Sequence, residues 1–108
     1  MSESKPDWLQ RVADMHGLDP EDIEEIAEMC LEDTNDNLTL LEDLSNMPES
    51  IRAAHSIKGS AANIGLTTLS ETAKSIETDL KAGETDQVPT KLISLKAAFE
   101  DFKVLLNS

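Results

Sequence analysis

An all-α fold, an antiparallel up-and-down four-helix bundle with a short additional N-terminal helix, is predicted by three features of this 108-residue sequence. Apolar residues recur at three- and four-residue steps along most of the chain, alternating β-branched runs are missing, and tyrosine is absent. All four prolines stand where a helix should begin or where two should part. The length suits a single domain, residues 1–108, with a modest core and no room for a second.

Each element has its own signals. The first helix is expected from Asp7 to about Met15, with Gly17 as its break. The second opens with Asp19 as N-cap, Pro20 at the first helical position and acidic residues in the first turn, where they suit the helix dipole. It should run for about 25 residues, its core stripe made by Ile23, Ile26, Ala27, Cys30, Leu31, Leu38 and Leu41. "NMPES" parts it from a third helix, about Pro48 to Ile64, which Gly65 stops. The fourth, Thr67 to about Ala82, sets Leu69, Ala73, Ile76 and Leu80 on one side and ends at Gly83. The last, roughly Val88 to Leu106, buries Leu92, Leu95, Phe99, Phe102 and Leu106. Short connections between four substantial helices make sequential neighbours antiparallel.

Charge excludes several function classes. A formal net charge of −13 argues against nucleic acid and against anionic membrane surfaces, both of which call for a basic face. No Lys or Arg occurs between Arg11 and Arg52, a segment that carries Asp19, Glu21, Asp22, Glu24, Glu25, Glu28, Glu32, Asp33 and Asp36 and reads as a solvated helix face. Any anion would be drawn to the second half. The single cysteine, Cys30, allows no intrachain disulfide and reads as a small core residue, while His16 reads as a helix-end histidine. No Cys/His cluster has zinc spacing, and no paired Glu-x-x-His set supports a metal-binding bundle. With a polar, acidic N-terminus and no run of about 18 apolar residues, the chain reads as soluble and cytoplasmic.

The third helix holds the chemistry. Turning each residue about 100° from the last places Ile51, Ala54, Ile57, Ala61 and Ile64 on the core face and His55 about 130° from its centre, toward solvent. Gly59, one turn on, lies beside His55, and Ala62 follows on the same strip. A glycine inside a helix costs about 1 kcal/mol relative to alanine, and a reason is needed for it. Outward-facing Gly59 uncovers the imidazole and lets another surface come close to the helix backbone. Lys58, three residues from His55, can swing its ammonium over the ring. Together they describe an accessible nitrogen nucleophile, a cation to neutralise a negative group placed on it, and clearance for a partner. Taken singly, each has a plain alternative: a surface histidine, a lysine snorkelling from the core edge, a packing accommodation.

"AAHSIKGSAANIG" closely resembles the signature of histidine-containing phosphotransfer domains, the intermediates of two-component phosphorelays. In that signature a histidine is followed by Lys at three residues, Gly at four, and small residues leading to a further Gly at ten. Here these are His55, Lys58, Gly59, Ser60, Ala61, Ala62 and Gly65, with no departure. "LSETAKSIETDLKAG", Leu69 to Gly83, looks like the family's following helix, and the length matches a free-standing module.

The resemblance implies a bundle that takes a phosphoryl group from a receiver-domain aspartyl phosphate onto His55 Nε2 and passes it to, or back to, a receiver aspartate. Lys58 would stabilise the charge of the moving group. The chain would need no cofactor of its own, Mg2+ being supplied by the acidic pocket of the receiver. Docking is expected on the strip of Gly59 and Ala62, with Arg52, Ser56 and Asn63 at its polar margin. Lys81 corresponds approximately to a position where some family members hold a basic residue near the phosphate; it is equally placed to form an i,i+4 pair with Glu77. Neutral imidazole is the competent nucleophile and needs no activating base. A histidine–aspartate–serine triad is unsupported, because Ser56 and Ser60 point to other sides of the helix and no orienting carboxylate is identifiable.

Nothing resembles a nucleotide-binding kinase domain, so ATP-dependent autophosphorylation is not expected. The phosphotransfer domain of a chemotaxis-type histidine kinase has a similar motif but continues into further domains, which an end at Ser108 would exclude. A non-catalytic helical adaptor that binds receivers through the same strip is the rival from another class, and intact His55 favours chemistry over it. One uncovered strip on a small acidic bundle points to a monomer that forms transient complexes.

Overall fold

In the computed structural model, which describes residues 3–108, five helices follow one another and no strand occurs among the described residues. They are α1 (Lys5–His16), α2 (Pro20–Leu41), α3 (Met47–Asn63), α4 (Thr67–Lys81) and α5 (Val88–Leu106). The prolines occupy the first turns of α1, α2, α3 and α5, where a missing N–H has no intrahelical acceptor to lose. Ser4 accepts a hydrogen bond from the Asp7 N–H at 3.3 Å, so α1 starts ahead of the expected Asp7. Asn46 caps α3 in the same way through the Glu49 N–H. Gly17 and Gly65 follow α1 and α3 at φ +65° and +71°, a left-handed conformation that lets the chain leave the helix at once.

α2 is 22 residues long, shorter than the sequence pattern indicates. The turn after it is held by Ser50, fully buried, whose hydroxyl faces the carbonyls of Leu40, Asp43 and Asn46 at 3.2, 3.4 and 3.2 Å. α3 lies between α2 and α4, α4 meets α5, α5 returns to α2, and α1 rests on α2. The core between them is filled by Trp8, Ile23, Leu41, Ile57, Ile64, Ile76, Leu95 and Phe102, each worth about 1.5–3 kcal/mol of burial. Trp8 meets Phe102 edge-on with ring centroids 6.1 Å apart, tying α1 to α5.

The expected stripes of α4 and α5 are buried, apart from Leu92, which joins Ile26 and Leu31 as a half-buried flank of the core. On α3, Ile51 is only half-buried, contrary to the wheel, and Ser50 and Ala53 are buried instead. The reason is that α3 touches both α2 and α4, so its covered arc is centred between Ala53 and Ala54. Cys30 is buried beside Thr34, and burial pushes its thiol pKa up, away from the reactive thiolate. The acidic side chains of α2 face solvent or its margin, Glu24 being paired with Lys5 at 2.8 Å. No helix among the described residues is long and apolar enough to cross a membrane.

Candidate functional site

His55 stands in the middle of α3 with its side chain 63% exposed, as the wheel predicts. Its Nδ1 lies 2.7 Å from Oε2 of Glu77, on the neighbouring α4. The other carboxylate oxygen, Oε1, accepts from Lys58 Nζ at 2.7 Å, and Lys81 Nζ reaches Oε2 at 3.3 Å. Glu77 itself is buried, its side chain only 5% exposed. Burial pushes its carboxyl pKa up, but the hydrogen bonds from Lys58, His55 and Lys81 outweigh that and hold the value down at about 2. At neutral pH Glu77 is therefore an anion that can only accept.

This settles the tautomer of the neutral ring. Nδ1 must carry the proton it shares with Glu77, which leaves the lone pair on Nε2. Nε2 has no hydrogen-bond partner among the described residues, and the ring edge that carries it is turned outward. Lys58⁺, Lys81⁺ and Glu77⁻ sum to a single positive charge at the base of the imidazole, in a protein whose net charge is strongly negative. A dianionic group placed on Nε2 would meet the one locally cationic surface the site offers.

The scaffold under these residues is rigid. The Ser70 hydroxyl donates to the Lys58 carbonyl at 2.9 Å, pinning α4 to α3 within one turn of His55. Around Gly59 there is open space: a Cβ built there would meet nothing within 4 Å. Ala62 and Asn63 are exposed beyond it, and Ser56 is half-buried on the margin. Arg52 is exposed and held by Glu49 one turn before it. Lys81 is brought into both of the settings the sequence offered, since it pairs with Glu77 and stands beside His55 through that shared carboxylate.

Glu77 is the site residue that sequence reasoning missed, and the expectation that His55 has no orienting carboxylate is corrected by it. A signal was present. Glu77 falls on the apolar stripe of α4, four residues after Ala73 and three before Leu80, and a lone carboxylate on a buried stripe demands partners. Their identity depended on α3 and α4 lying side by side. His16 behaves as expected of a helix-end residue, its Nε2–H donating to the Asn63 carbonyl at 2.6 Å. Among the described residues no group of three or more His, Cys, Asp or Glu is arranged to hold a metal ion.

Residues 20–103 match the Hpt domain, a helical bundle that serves histidine phosphotransfer. The chain belongs to the Hpt domain family, whose work lies in two-component signalling and whose partners are receivers and kinases of phosphorelays. Comparison with curated proteins and with solved structures returns no match. α1 precedes the matched residues.

Proposed function

We propose that this protein is a phosphorelay intermediate in which His55 accepts a phosphoryl group from a receiver-domain aspartyl phosphate and hands it to, or back to, a receiver aspartate. The observation that carries this reading is the pairing of an exposed, unpartnered Nε2 with an Nδ1 held by buried Glu77. In the forward step the Nε2 lone pair attacks phosphorus, the P–O bond to the aspartate breaks, and its electron pair leaves on the carboxylate. The proton on Nδ1 stays where it is. The phosphoimidazolium that results has its positive charge against Glu77, so no base has to remove a proton during transfer. In the return step a receiver carboxylate attacks phosphorus, and the P–N bond gives its pair back to Nε2.

Lys58 and Lys81 lie on the side where the equatorial oxygens would gather, and either can exchange its contact with Glu77 for the phosphoryl group. Mg2+ would come with the receiver, bound in its acidic pocket, and no residue of this chain is assigned to it. Gly59 and Ala62 provide clearance for that pocket, with Arg52, Ser56 and Asn63 at the rim. The helix contacts and short connections support an antiparallel up-and-down bundle of α2 to α5 forming one domain. A cytoplasmic monomer without ATP-dependent activity of its own fits this role.

The test is a transfer assay with radiolabelled phosphorylated receiver domains and Mg2+. Acid-labile, alkali-stable label is expected on the wild type and not on His55→Gln. Receivers that bind the wild type but leave no label would turn the reading into a non-catalytic adaptor.

A further inference from the structure

α1 is attached to the rest of the bundle in an unusual way. The last carbonyls of a helix have no partners within it, and here three side chains of α1 point at three consecutive ones at the end of α3. His16 Nε2 lies 2.6 Å from the Asn63 carbonyl, Trp8 Nε1 donates to that of Ile64 at 2.8 Å, and Arg11 donates to that of Gly65 at 3.3 Å. The C-terminal turn of α1 is thereby fixed against the end of the strip that begins at His55. Between the two helices runs a shallow groove lined by Met15 and His16 on one wall and by Gly59, Ser60, Ala62 and Asn63 on the other.

Met15 is 57% exposed. It is the one large apolar side chain in this groove, and Gly59 and Ala62 opposite it are too small to cover it. A helix rises about 1.5 Å per residue, so Ala62 lies about 10 Å along α3 from His55. Even a transient protein contact of about 600 Å² per partner covers a disc of about 14 Å radius. A receiver seated with its aspartate over Nε2 therefore spans the groove. The surface under it is polarised: Arg52, Lys58 and Lys81 surround His55, and bare Met15 lies at the other end. Because the net charge of −13 opposes the approach of an acidic pocket, close contact has to be supplied at short range, where an unbranched, polarisable thioether adapts readily.

We propose that the receiver-docking surface continues from His55 along Gly59 and Ala62 onto α1. Met15 seats there against an apolar side chain that the receiver carries about 10 Å from its phosphorylated aspartate, by the helical rise above. This rests on the relay reading and names the partner feature it needs. The experiment measures Kd and transfer rate for the receiver domain that exchanges fastest with the wild type, using Met15→Asp, Met15→Leu and Met29→Asp. Met29 is a methionine of similar exposure on α2.

Met15→Asp should raise Kd and lower sub-saturating transfer at least about fivefold, Met15→Leu should restore both to within twofold, and Met29→Asp should change neither. All three should melt as the wild type does. Unchanged Kd and transfer with Met15→Asp, or an equal loss with Met29→Asp, would overturn the docking proposal while the relay stands. A wild type whose His55 is phosphorylated directly by phosphoramidate but by no receiver would overturn the relay reading, and the docking proposal with it.

Discussion

Replacing Glu77 with Gln tests whether the buried carboxylate sets the reactivity of His55. The substitution keeps the volume and removes the charge that fixes Nδ1 as the proton carrier. A charge-assisted hydrogen bond contributes about 1.5–3 kcal/mol. The 2.7 Å contact qualifies, but the imidazole is 63% exposed, which places the effect near about 1.5–2 kcal/mol. At 1.36 kcal/mol per decade, the transfer rate at saturating receiver should fall about 10–30-fold. An amide at position 77 can also turn its NH2 toward Nδ1, which would move the ring proton to Nε2 and remove the nucleophilic lone pair. The assay is rapid-quench transfer from a labelled receiver, alongside Kd for the same receiver and helicity by circular dichroism. A rate within twofold of wild type, or a loss that appears only in Kd, would refute the tautomer account.

The same carboxylate should shape acid stability: held at about 2 against an ordinary 4.5, it contributes fully above pH 4.5 and loses on the order of 3 kcal/mol as pH falls from 4.5 to 2. Urea denaturation across that window should show a flatter acid limb for Glu77→Gln than for the wild type, and parallel limbs would contradict the lowered value. Gly59→Gln should gain up to about 1 kcal/mol through helix propensity, because its Cβ enters open space, yet slow receiver transfer by filling the clearance; unaltered transfer would remove that role. His55→Gln should stay within about 0.5 kcal/mol of wild type in thermal melting while losing all label, as an exposed position allows; a collapse of the fold would show the ring to be structural. Trp8→Phe should cost about 1–3 kcal/mol in urea, since the Ile64 carbonyl loses its buried donor, and a negligible cost would show that the bond does not anchor α1.

How the chain could be read before it was folded follows from which interactions are local. The helices, their caps at Ser4 and Asn46, the glycine stops and the buried stripes depend on residues within one or two turns of each other. Exposure of His55 likewise follows from its angle on α3, and the order His55, Lys58, Gly59 already held the nucleophile, cation and clearance. Ile51 departs from this because the covered arc of α3 is set by two neighbouring helices at once. Glu77 departs from it further. Its contacts with His55 and Lys58 span 22 and 19 positions, and those that clamp α1 onto α3 span 47 to 56. The sequence alone determined the helical elements, the core stripes and an exposed histidine, because periodicity and capping act over a few residues. Only the tertiary structure decided which nitrogen of that histidine is free and what lies beside it, because a buried carboxylate takes its partners from whichever helix is laid against it.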